Sequence, residues 1–139
     1  EKIAMDVVSA GSSFVVSPIF KPEIVEYCKN EGVVVIPGCF SPTEIYTAWE
    51  LGADIVKVFP ANIVGIRYFS DILNVFPEIR LLPTGGVTLE NAGDWIRAGA
   101  FAVAIGTALL DKEAVKEERY EILTEKAQTL VENIRKSKL

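Results

Sequence analysis

Apolar residues in this chain come in short unbroken runs separated by stretches of helical spacing, with a regular beat. The runs are Phe14-Val15-Val16, Val33-Val34-Val35-Ile36, Ile55-Val56-Lys57-Val58-Phe59, Ile79-Arg80-Leu81-Leu82 and Phe101-Ala102-Val103-Ala104-Ile105. They start near positions 14, 33, 55, 79 and 101, at intervals of 19, 22, 24 and 22 residues. Runs apolar on both faces suit strands of a parallel sheet covered by helices.

Between them the period changes. Ile3 to Ala10 reads as the end of a helix with Ile3, Val7 and Val8 on its apolar side. Pro22 suits a first helical turn, and Ile24, Val25 and Cys28 supply that helix's inner face. Ser41-Pro42-Thr43-Glu44 is a helix start with a serine cap, proline first and glutamate third. Phe69, Ile72, Leu73 and Phe76 recur at helical spacing, a capped helix begins around Thr88, and Tyr120, Leu123, Ala127, Leu130 and Ile134 form a 3,4,3,4 stripe. Gly11, Gly32, Gly52 and Gly99 each close a helix. This βα alternation predicts a parallel α/β fold with right-handed connections. Five strands at barrel tilt cannot close, since a (β/α)8 barrel needs eight. An open parallel five-stranded sheet is the alternative at this length.

Composition narrows the chemistry. The 139 residues carry 19 acidic and 14 basic side chains, a net charge of −5, and no histidine. That balance argues against nucleic acid and anionic membranes as partners. Without histidine there is no His-based triad or His general base, and the commonest zinc ligand is missing. The two cysteines, Cys28 and Cys39, have no CxxC spacing and fit a reduced, cytoplasmic setting. No apolar run has the length of a membrane span.

One residue breaks the apolar pattern at an informative place. Lys57 sits mid-strand, with Ile55 and Phe59 on its face and Val56 and Val58 on the other. Desolvation lowers a lysine's pKa and raises its free-amine fraction, which makes it a nucleophile toward carbonyls. A lysine that snorkels to water or pairs with a carboxylate is the structural alternative. Further special residues cluster at strand C-terminal ends: Ser17-Pro18, Pro37-Gly38, Phe59-Pro60, Pro83-Thr84-Gly85-Gly86 and Gly106-Thr107. In α/β folds this edge builds binding sites. Gly85-Gly86 and Gly106-Thr107, on consecutive strands, could offer backbone N–H groups to one anion, or could simply be tight turns.

These motifs together resemble the 2-keto-3-deoxy-6-phosphogluconate (KDPG) and 4-hydroxy-2-oxoglutarate (KHG) aldolases, class I enzymes with a (β/α)8 barrel. The resemblance rests on Val56-Lys57-Val58-Phe59-Pro60-Ala61 with Leu82-Pro83-Thr84-Gly85-Gly86-Val87, supported by Ile36-Pro37-Gly38, Ser41-Pro42-Thr43-Glu44 and Ile105-Gly106-Thr107. It implies that residues 1–139 are the C-terminal part of a single barrel domain, roughly strands four to eight. It assigns the Schiff-base lysine to Lys57, and substrate binding to Pro18, Phe59, Thr84, Gly85, Gly86, Gly106 and Thr107. It further implies cleavage of a 2-keto-3-deoxy-6-phospho sugar acid to pyruvate and glyceraldehyde 3-phosphate, no cofactor, no metal, and a homotrimer. The family's catalytic glutamate, carboxylate-binding arginine and a further threonine belong to strands with no counterpart in these residues. Two rivals stay open: a phosphate-binding barrel isomerase or synthase without a Schiff base, and a catalytically inactive half-barrel.

Overall fold

The computed structural model of the chain describes residues 1–137. Helix α1 (Lys2–Ser9) leads into strand β1 (Phe14–Val16), then α2 (Pro22–Asn30), β2 (Val34–Ile36), β3 (Gly38–Cys39) and α3 (Pro42–Glu50). Strand β4 (Val56–Val58) follows, then α4 (Ala61–Val75), β5 (Leu81–Pro83), α5 (Ala92–Arg97), α6 (Lys112–Lys116) and α7 (Tyr120–Ser137). All pairings are parallel and between strands consecutive in the chain: β1 with β2, β3 with β4, β4 with β5.

The second apolar run divides at Pro37. Its first part pairs with β1 on one side, and its second part pairs with β4 on the other. Proline has no N–H to give to either ladder. Its carbonyl still accepts from Lys57 N–H at 2.9 Å, so the run joins both sheets into one layer.

The barrel that the family resemblance implies is not closed by these residues, as the count of five runs requires. The sheet of the described residues is open, which is the alternative considered above, because five runs leave both outer edges uncovered. The fifth run is a correction. Instead of a strand over 101–105, it makes one parallel bridge, Thr84 with Ala104. Phe101 N–H donates to Leu81 O (2.9 Å) and Ala104 N–H to Pro83 O (3.0 Å). Three residue steps on one side thus match two on the other, and the extra residue bulges out of the ladder. The helix expected from Thr88 begins at Ala92. Thr88 and Asn91 instead close a turn by reciprocal bonds, Thr88 N–H to Asn91 Oδ1 (2.8 Å) and Asn91 N–H to Thr88 Oγ1 (3.2 Å).

Helices cover one face of the layer. Val56, Val58, Ile45, Ala48, Phe69 and Leu81 are fully buried there, and Phe69 meets Trp95 edge-on with centroids 5.0 Å apart. A smaller cluster joins Ala4, Val15, Ile24, Val25, Cys28 and Val35. On α1 the buried side is Ala4, whereas Ile3 and Val7 are exposed and line a groove of about 520 Å³ along β1. The concave face of the sheet stays open, with Phe14, Val16 and Val34 exposed on it. No helix among the described residues is long and apolar enough to cross a membrane.

The turn after β1 approaches the sheet closely. A Cβ on Gly38 would lie 2.4 Å from both the carbonyl carbon and the oxygen of Pro18. Gly38→Ala is therefore expected to cost roughly 1–3 kcal/mol, the usual penalty for overpacking. Chemical denaturation reads this directly, and an unchanged midpoint would contradict the close packing.

Candidate functional site at the C-terminal strand edge

Strand β4 is the centre of the site because it is hydrogen-bonded on both sides. Val56 N–H donates to Arg80 O (2.8 Å) and Thr84 N–H to Val58 O (3.0 Å) on the β5 side. Lys57 N–H donates to Pro37 O (2.9 Å) and Phe59 N–H to Cys39 O (3.0 Å) on the β3 side. Period two then sends Val56 and Val58 into the helix-covered core and leaves Lys57 and Phe59 on the concave face. The Lys57 ammonium lies 4.9 Å from the Phe59 ring centroid. It makes no ion pair among the described residues. Burial pushes its pKa below the ordinary lysine value.

The titratable groups around the start of α3 are engaged with one another and with the backbone. Glu44, in the first turn of α3, accepts from Phe40 N–H (3.0 Å), Ser41 N–H (2.7 Å) and Ser41 Oγ (2.8 Å), completing the capping box. Those bonds hold its carboxyl below the usual range. Tyr68 donates its hydroxyl to Phe40 O at 2.8 Å. Cys39 is buried and its thiol is pushed up to about 12, by burial first and Glu44 second, so it is no nucleophile at neutral pH.

The glycine turn after β5 is close to the lysine strand. Ala61 N–H donates to Thr84 O at 2.8 Å. Thr84 Oγ1 is buried with no hydrogen-bond partner among the described residues. Gly85 and Gly86 have φ of +95° and +73°, which accounts for both glycines as backbone requirements. The Gly86 and Val87 N–H groups donate to no acceptor among the described residues. Successive N–H groups left without acceptors can form an anion-binding concavity. Sequence reading stopped at Gly86, and nothing about a buried valine marks its N–H as free.

The other expected residues sit at the same edge with different surroundings. The Thr84–Ala104 bridge brings Gly106-Thr107 to the neighbouring strand end, but Gly106 and Thr107 line a separate, mostly apolar hollow of about 480 Å³ with Leu110, Lys112 and Val115. Gly106 lacks the positive φ of Gly85 and Gly86, and a Cβ there would meet nothing within 4 Å. Pro18 lines the groove along β1 and lies against Gly38, the register partner of Lys57. Among the described residues no group of three or more His, Cys, Asp or Glu side chains could hold a metal ion.

Residues 1–126 match the family described as KDPG and KHG aldolase. The chain is 42% identical over 89 residues to the 2-dehydro-3-deoxy-phosphogluconate aldolase of Treponema pallidum, covering 63% of this chain and 42% of that protein. A native KDPGal structure superposes with a TM-score of 0.89 at 28% identity, over 98% of this chain and 65% of the other. The KDPG aldolase of Legionella pneumophila, with pyruvate captured as a covalent carbinolamine, matches with a TM-score of 0.80 at 30% identity, over 87% and 59%. The chain spans about half the length of the curated relatives it matches.

Because desolvation disfavours the Lys57 ammonium only in the folded state, Lys57→Met is expected to raise stability at neutral pH. The sign follows from linkage: below the lowered folded-state pKa the ammonium is charged in both states and its penalty stands. Above the unfolded value, about 10.4, both states are neutral and the advantage of methionine disappears. Denaturant midpoints of the two proteins across this range should converge as pH rises; a gap that widens instead would refute the desolvation.

Proposed function

The chain belongs to the KDPG and KHG aldolase family, and from that premise we propose that Lys57 is the Schiff-base lysine of a class I aldolase acting on a 2-keto-3-deoxy-6-phospho sugar acid. The observation that carries the reading is the unpaired, partly desolvated Lys57 on the concave sheet face, beside Phe59 and next to a turn with free N–H groups.

The free amine of Lys57 adds to the C2 ketone, giving a carbinolamine. Loss of water leaves an iminium at C2. The C3–C4 electron pair moves into the iminium as an enamine, the C4 hydroxyl gives up its proton to a base, and glyceraldehyde 3-phosphate departs. Protonation at C3 and hydrolysis release pyruvate and restore the amine. Phe59 lines the lysine's side of the cleft. Thr84 Oγ1 supplies a hydroxyl for the substrate's own hydroxyls, and the Gly85–Gly86 turn with the Val87 N–H receives the phosphate. Gly106, Thr107 and Pro18 complete the substrate-binding set that the family resemblance implies. The aldolase named for Treponema pallidum acts on a phosphorylated acid, which supports this substrate class. The reading includes a cytoplasmic setting and a homotrimer, the latter open to sedimentation analysis.

A second reading is favoured by one observation. The proton from C4 needs a base, and Glu44 is held in its capping box by three hydrogen bonds. The 139 residues alone would then form the imine without completing turnover, as an inactive half-barrel does.

Pyruvate with borohydride is expected to add one pyruvate-derived group, mapped to the peptide containing Lys57. Lys57→Arg should abolish the adduct, since a guanidinium holds its proton and forms no stable imine. An adduct on another lysine would rule out the assignment. Thr84→Val tests the hydroxyl cleanly, because Oγ1 has no partner to lose and the shape is nearly kept. Stability should hold or rise, while kcat/KM in the polypeptide that shows cleavage falls at least about tenfold, the cost of one lost substrate hydrogen bond. A fall in stability with unchanged cleavage would make the hydroxyl structural. Gly86 is less suited to such a test, since a Cβ there would lie 2.5 Å from Asn62 Cβ.

A further inference from the structure

We propose that Asn62 is a specificity-determining residue for the phosphate-bearing end of the ligand, acting through its side-chain carboxamide. This rests on the reading of the cleft given above but concerns a residue that reading does not use.

Asn62 follows Ala61, whose N–H is fixed on Thr84 O. The helical turn that carries it is cut off from the rest of α4 at Gly65 (φ 77°, ψ 172°), so residues 61–64 form a separate turn laid against the β5 loop. The contact is close. A Cβ on Gly86 would lie 2.5 Å from Asn62 Cβ, and a Cβ on Gly85 would lie 3.2 Å from Asn62 Oδ1. The side chain therefore lies across the glycine turn, at the edge where the Gly86 and Val87 N–H groups are free. Its carboxamide is exposed and makes no hydrogen bond among the described residues.

Packing explains the Cβ of this residue but not its amide. An alanine would seat the glycine turn equally well. What the amide adds is a neutral polar group, with Oδ1 on the Gly85 side and Nδ2 able to donate, beside neutral backbone donors. An anion held this way owes its binding to hydrogen bonds, so a unit charge placed at position 62 acts on it directly. A carboxylate repels a phosphate and an ammonium attracts it, while an uncharged ligand end responds to neither.

The test is a titration of the ¹⁵N-labelled chain with glycerol 3-phosphate and, separately, glycerol. The Asn62 side-chain amide pair should shift saturably with glycerol 3-phosphate and stay still with glycerol. Asn62→Asp should weaken glycerol 3-phosphate at least about tenfold, Asn62→Ala by about threefold, and Asn62→Lys should tighten it, in line with charge-assisted bonding. Denaturation midpoints of Asn62→Ala and the parent separate lost packing from lost recognition. Absence of a shift, or equal affinities for the Asp and Lys variants, would overturn the proposal. The pyruvate trap at Lys57, run on the unsubstituted chain, reports the Schiff-base reading independently. A failed trap with a charge-dependent Asn62 response would leave the anion site standing without the aldolase chemistry.

Discussion

Everything in this molecule depends on satisfying the backbone of β4 from both sides. A buried strand cannot leave N–H or C=O groups unpaired without a cost of about 1–3 kcal/mol for each. Here Arg80 O and Pro37 O take the first two donors, Cys39 O takes the third, and Thr84 N–H answers Val58 O. Those bonds fix the twist and register of β4. Once they are made, alternation leaves no choice: Val56 and Val58 must fill the core, and Lys57 must face the other way. The lysine side chain is thus positioned by the backbone ladder and its neighbours' packing rather than by any hydrogen bond or ion pair of its ammonium among the described residues.

The same constraint explains the arrangement of the glycine turn. Thr84 donates its N–H to Val58 and accepts from Ala61 through its carbonyl, so its backbone is spent on holding two loops together. Its hydroxyl is left over, buried and unpaired. The chain then has to turn at once toward α5, and it does so through two residues of positive φ. A turn of that kind points successive N–H groups outward instead of into a ladder. The requirement for glycine and the free donors are therefore one feature with two consequences, and the anion reading and the tight-turn reading of Gly85-Gly86 do not compete.

Much of this was legible in the chain itself. The alternation around Lys57, the Ser41–Glu44 capping box and the positive φ of Gly11, Gly32, Gly52 and Gly99 all follow from local rules that the structure obeys. What escaped the sequence depends on register between distant segments. The extra residue between Phe101 and Ala104 is visible only against Leu81 and Pro83, since each run looks regular alone. Pro37 reads as a strand end, yet it is where one run changes partners. Asn62 has no motif around it, and its place across Gly86 is set by the break at Gly65 together with the Ala61–Thr84 bond.

The open concave face has a direct consequence for the lysine. Its depressed pKa comes from desolvation by its own sheet, with Phe59 on one side and no opposite charge to offset it. Phe14, Val16 and Val34 on the same face remain exposed, so water still reaches across the strands from the β1 side. Any apolar element or ligand that covers this face removes more of that water and acts on Lys57 in the same direction, toward the free amine. Coverage of this face and the free-amine fraction of Lys57 are therefore coupled through desolvation.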